Sequence, residues 1–131
     1  MSSQIFSKYE LKKSKLIIFS SKSINLEIVL KTLNLKKFKY ENYIIKTHPN
    51  ISDLSSVLKK ILSEENIFEF ENQNKETLFI AIGGGSSIDA AKYIKNNILN
   101  YTNPKIIAIP SIASAGSEST QFSTIWDIPN N

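Results

Sequence analysis

The amino-acid sequence predicts an α/β domain built on an open parallel sheet, and three observations carry that prediction. Short apolar runs at residues 16–19, 78–82 and 106–109 are rich in Ile and bounded by polar or turn residues, as strands covered on both faces are. Segments whose apolar residues recur at helical spacing lie between them. The connections are long enough to cross between parallel strands.

Leu16, Ile17, Ile18 and Phe19 make the first strand. Residues 24–35 follow as a helix, with Ile24, Ile28, Leu30 and Leu35 among its apolar positions. Tyr43, Ile44 and Ile45 are a weaker second strand behind the Lys-rich residues 36–39. Leu54, Val57, Leu58, Ile61 and Leu62 then repeat at i, i+3, i+4, i+7 and i+8 behind the cap candidates Asn50 and Ser52. One stripe of this helix faces a core, and Lys59, Lys60 and Glu64 face water. The Glu-rich residues 64–76 read as its end and a loop, with residues 72–77 polar throughout. The third strand is residues 78–82, the third helix residues 88–98 with Ile88, Ala91, Ile94 and Ile98, and the fourth strand residues 106–109. Trp126 reads as a core or edge-strand aromatic. No internal repeat and no Pro/Gly/Ser linker interrupts the order.

The 131 residues allow one domain, residues 1–131, and the 41% hydrophobic and 21% charged content is that of an ordinary folded protein. The longest apolar runs have five residues, against the roughly 18 of a membrane span, so no membrane partner is expected. All 16 basic residues are Lys. Without the guanidinium fork that reads base edges, a nucleic-acid partner is not expected either. Ten Lys and three Glu fall in residues 1–46, against six Lys and nine acids in the remainder, an imbalance that fits a solvated face or an anion-binding one. The absence of Cys excludes disulfides and thiolate chemistry. The N-terminus is polar and Lys-rich, and residues 16–19 are too short for the apolar part of a signal peptide, so a cytoplasmic location is expected.

Two segments hold the chemistry. Gly83, Gly84 and Gly85, three of the four glycines, stand between the third strand and Ser86, Ser87 and a helix. Backbone without Cβ lets an anion approach, and free amides at a helix start supply donors, so one reading is a phosphate cradle. The other is a tight turn in which Ser86 is the N-cap and Asp89 closes a capping box. Neither the dinucleotide fingerprint with spaced glycines nor the Lys-bearing P-loop is present. After the fourth strand, residues 110–120 are dominated by small hydroxyl side chains, which either contact a ligand or simply form a Ser-rich loop.

Ala-Ile-Gly-Gly-Gly-Ser-Ser-Ile-Asp-Ala-Ala-Lys at residues 81–92 resembles the Gly-Gly-Gly-Ser-x-x-Asp-x-Ala-Lys signature of the iron-containing alcohol dehydrogenase family, relatives of glycerol dehydrogenase and dehydroquinate synthase. Ile109-Pro110-Ser111 followed by Gly116-Ser117-Glu118-x-Thr120 resembles that family's second segment. Weaker similarity covers the first strand with residues 20–23, and Pro49-Asn50 falls where a proline-containing loop is usual. Ile112, Ser114 and Ala115 depart from the usual Thr, Gly and Thr, with residues 111–114 closer to the glycerol dehydrogenase version. Residues 122–127 are similar, over a short stretch, to members that reduce phosphonoacetaldehyde.

The resemblance implies a Rossmann-like N-terminal domain of a dehydroquinate synthase-like fold, with the helical C-terminal domain absent. It implies the cofactor-binding portion of an NAD(P)-dependent alcohol dehydrogenase or aldehyde reductase; an inactive nucleotide-binding fragment and a cyclase of the dehydroquinate synthase type are the alternatives. Gly84, Gly85 and Ser86 would hold the pyrophosphate of NAD or NADP, with Asp89 beside it. Ser111, Ser114 and Thr120 would line the phosphate and nicotinamide-ribose side. Ser21 stands where the family often has Asp; with Lys22 beside it the repulsion of a 2′-phosphate is removed, which tilts the expectation toward NADP. Fe(II) or Zn(II) serves complete members, but one His, His48, and no Cys cannot assemble such a site here. A small alcohol or aldehyde is the substrate expected of a complete enzyme. Homo-oligomerisation or association with a missing C-terminal half is expected to cover apolar surface around Phe122, Ile125 and Trp126.

Overall fold

The computed structural model describes Phe6, residues 9–110 and the backbone of residues 126–128. Strands β1 (Ser14–Ser21), β2 (Tyr40–Ile45), β3 (Glu76–Gly83) and β4 (Lys105–Pro110) run parallel. A fifth strand, β5 (Trp126–Ile128), pairs antiparallel with β4, giving the order β2-β1-β3-β4-β5. Trp126 therefore belongs to the edge strand, while Phe122 and Ile125 lie outside the described residues.

The apolar runs form strands because both faces of the sheet are covered, so successive residues are buried on opposite sides. Leu16, Ile18, Ile80 and Ile82 pack with Val29 and Leu30 of α1 (Leu26–Thr32) on one face. Ile17, Phe19, Phe79 and Ala81 pack on the other with Leu54 and Ile61 of α2 (Ile51–Ile61), Phe70 of α3 (Glu64–Phe70), and Ala90, Ala91 and Ile94 of α4 (Gly85–Asn96). Each fully buried aliphatic side chain contributes roughly 2 kcal/mol. The Phe79 ring meets Phe19 edge-on at 5.0 Å between centroids. Among the described residues, one α-helix on one face and three on the other is the division that right-handed crossovers give for this strand order.

Several elements differ from the sequence reading. The first helix is shorter than residues 24–35: Asn25 caps it, its side chain accepting from the Ile28 amide, and just beyond its end Asn34 turns to φ 60°. Ile28, inside this helix, is exposed. Asn50, not Ser52, caps α2, and its reciprocal capping box with Asp53 is complete. The Glu-rich segment read as a helix end and loop contains α3, a separate helix started by the Ser63 side chain accepting from the Asn66 amide. The basic N-terminal face is not wholly solvated, because Lys15 is buried and its ammonium lies 2.7 Å from Glu41 and 2.8 Å from Glu69. No helix among the described residues is long and apolar enough to cross a membrane.

The chain passes from β1 outward to β2, then back across β1 to β3. Strand order thus reverses between β1 and β3, and their carboxyl ends, Ser21 and Gly83, flank the crevice where sheets of this kind receive ligands.

Candidate nucleotide-binding site

The three consecutive glycines have two distinct structural roles. Gly83 ends β3 at φ +127°, a region that side-chain-bearing residues rarely occupy. A Cβ there would stand 2.8 Å from Ser21 Oγ and 3.4 Å from Ser87 Oγ. The ends of β1 and β3 and the first turn of α4 close together around this bare position, so Gly83 is required by packing. Gly84 and Gly85 are exposed, and a Cβ on either would meet nothing within 4 Å among the described residues. Internal packing gives no reason for glycine at those two positions; access from outside does.

The α4 start is not capped as the sequence reading allowed. Gly84 is the N-cap and no side-chain cap is formed; Ser86 already lies inside the helix, so a Ser86–Asp89 capping box does not arise. The Ser87 amide turns back to the Gly84 carbonyl at 3.1 Å. Open amides and the positive end of a 12-residue helix therefore face the crevice.

Ser86, half-buried, uses its hydroxyl differently: Oγ accepts the His48 backbone N–H at 3.1 Å, which holds the β2–α2 loop against the glycine turn. Ser87 is fully buried, and its Oγ is the one buried side-chain polar atom without a partner among the described residues. Ser21, at the end of β1, borders Gly83 and places its Oγ 3.5 Å from that of Ser23. Asp89 is exposed one turn further along α4. Ser111, Ser114 and Thr120 lie outside the described residues; Pro110, which precedes Ser111, pairs with Gly83.

Gly84, Gly85 and Ser86 thus come together with Ser21 at the switch point, joined by Gly83, which the sequence reading placed in the cradle but not among the cofactor contacts, and by Ser87 and His48, which it did not assign to the site. Ser87 lies within the Gly-Gly-Gly-Ser-Ser run, and its place there is the signal that could have found it. The contact of His48 depends on a fold that joins residues 38 apart, and no local signal marks it. Among the described residues the turn is an open surface. A cavity of about 520 Å³, lined by Tyr9, Leu33, Phe38 and neighbours, lies instead toward the start of β1 and shares none of these residues.

No curated protein matches the chain. Among solved structures, a crystal structure of 2-deoxy-scyllo-inosose synthase resembles it with a TM-score of 0.56 at 12% identity, over 98% of this chain and 39% of that one. The likeness shows a dehydroquinate synthase-like fold, and the chain spans about two fifths of that protein's length. The family model described as iron-containing alcohol dehydrogenase matches residues 3–131, nearly the whole sequence. The chain belongs to the iron-containing alcohol dehydrogenase family.

Proposed function

We propose that this chain provides the dinucleotide-binding part of an NAD(P)-dependent alcohol dehydrogenase or aldehyde reductase. The observation that carries the reading is the exposed pair Gly84 and Gly85 at an uncapped helix start, where added Cβ atoms would enter space that no described residue fills and that a ligand needs. Family membership supports a dinucleotide as that ligand.

The residues present fit a pyrophosphate. Exposed amides of the Gly84–Gly85 turn donate to its oxygens, and the half-exposed Ser86 hydroxyl adds a donor. Ser21 faces the adenosine ribose from the end of β1, and Asp89 stands beside the pyrophosphate. By the family resemblance Ser111, Ser114 and Thr120, which lie outside the described residues, would serve the nicotinamide-ribose side. When bound, the nicotinamide accepts or gives the hydride that interconverts a small alcohol and its carbonyl compound. Among the described residues no group of three His, Cys, Asp or Glu could hold a metal ion, so activation of the substrate oxygen is not assigned to them.

Calorimetric titration with NADPH, NADH and ADP tests the reading directly: saturable one-to-one binding of all three is expected, and no binding of any of them rejects it. The neutral Ser21 beside Lys22 leaves room and charge for a 2′-phosphate, so NADPH is expected to bind at least as tightly as NADH. Ser21→Asp introduces a carboxylate that accepts from ribose hydroxyls and repels that phosphate. It should shift the NADH-to-NADPH affinity ratio toward NADH by roughly tenfold or more, the size of one charge-assisted hydrogen bond made or opposed. An unchanged ratio would remove Ser21 from the ribose site.

A further inference from the structure

We propose that the β2–α2 loop is a strap that aims the Ser86 hydroxyl at the bound diphosphate, with His48 as its positioning residue; this rests on the dinucleotide reading above. The loop is fastened at both ends to one carboxylate. Asp53 Oδ2 accepts the Asn50 backbone N–H at 2.9 Å and lies 3.2 Å from the Lys46 ammonium. Between those anchors His48 is held at φ 53°. Pro49 follows it and favours extended backbone in the residue before it, so the left-handed conformation is disfavoured twice over.

What that conformation achieves, among the described residues, is a hydrogen bond outside the loop: the His48 N–H reaches Ser86 Oγ at 3.1 Å. Among the described residues no other group hydrogen-bonds this hydroxyl. A serine oxygen that accepts from an amide keeps its one proton for another acceptor. Ser86 lies in the first turn of α4, half-exposed beside Gly84 and Gly85. Its proton is therefore directed away from the strap, toward the crevice. Buried against the same turn, the unpartnered Ser87 Oγ is a second polar group not satisfied within the described protein.

The test is a double-mutant cycle on the full chain, read as ADP affinity by calorimetry with melting curves as a folding control. His48→Val disfavours the left-handed backbone and should weaken ADP binding roughly fivefold to tenfold, whereas His48→Asn, which tolerates it, should retain wild-type affinity. Ser86→Ala should weaken binding about tenfold, the loss of one hydrogen bond to a charged group. If the strap acts through Ser86, His48→Val has no further effect in the Ser86→Ala background. Equal losses in both backgrounds, or wild-type affinity in His48→Val, would overturn the proposal while leaving the dinucleotide reading intact. A wild-type chain that binds none of ADP, NADH and NADPH would instead remove that reading, and the strap with it.

Discussion

Gly84→Val is expected to lower the affinity for ADP and NADPH at least about 100-fold while leaving the fold nearly as stable as the wild type. The branched side chain would project into space where, apart from the adjoining backbone, no atom of the described residues lies within 4 Å of its Cβ. It would stand where phosphate oxygens must approach the amides, and losing two charge-assisted hydrogen bonds accounts for a factor of roughly that size. Gly84 is the N-cap in extended backbone, so the fold loses only the preference for glycine over an apolar residue there, no more than about 1 kcal/mol. Gly83→Ala should behave in the opposite way. At φ +127°, with its new Cβ 2.8 Å from Ser21 Oγ, it costs about 3 kcal/mol in strain and repacking, read as a fall of roughly 10 °C in melting temperature. Paired thermal melts and titrations separate the two. A Gly84→Val protein that is folded and still binds ADP normally would remove the cradle assignment.

That contrast also shows where sequence reasoning reaches its limit. The glycine block is legible as a site because a tight strand-to-helix turn needs one glycine and seldom three, yet only the fold separates Gly83, required by the neighbouring strand, from Gly84 and Gly85, which no neighbour among the described residues crowds. Strands β1, β3 and β4 announce themselves because burial on both faces selects unbroken Ile and Leu runs. β2 is an edge strand of partly buried residues ending at Ile45, and its signal is correspondingly faint. α3 escapes because seven residues with only Asn66 and Phe70 buried carry no apolar stripe, and the Ser63 cap was its one local mark. α1 and α4 differ at their ends for a related reason: caps and left-handed residues such as Asn34, not apolar periodicity, decide where a helix stops. Lys15 reads as the last member of a basic N-terminus. Its two carboxylate partners come from β2 and α3, which no local pattern could supply.

Lys15→Ala is expected to destabilise the domain by about 3 kcal/mol, seen as a drop of roughly 10 °C in melting temperature. The Lys15 side chain, 9% exposed, joins β1 through its ammonium to Glu41 of β2 and Glu69 of α3. Tyr43 and the buried Asn66 donate to the other oxygen of Glu41, and Lys75 lies 3.2 Å from Glu69. Removing the central cation leaves two partly buried carboxylates facing its empty place, while α3 loses its charged tie to the sheet. The loss should depend on pH in a defined direction. Burial pushes the Glu41 carboxyl up, but hydrogen bonds from Lys15, Tyr43 and Asn66 outweigh it and hold the group below its ordinary 4.5; Lys15 and Lys75 hold Glu69 low against a smaller effect of burial. Carboxylates with lowered values stabilise the fold above their unfolded pKa and lose that contribution as the pH falls through the folded one. At the other end burial pulls Lys15 down, yet its bonds to Glu41 and Glu69 leave it above 10.5, so its contribution disappears as the pH rises past that value. Burial, followed by the hydrogen bond to Glu41, also raises Tyr43, which adds to the alkaline loss. The stability difference between wild type and Lys15→Ala should therefore be widest from about pH 5 to pH 10 and narrow toward pH 3, where protonated Glu41 and Glu69 no longer need the ammonium. Urea unfolding of both proteins at pH 3, 7 and 9 measures it. A difference as large at pH 3 as at pH 7 would mean that the lysine stem, through its packing, and not the ion pairs, holds α3 in place.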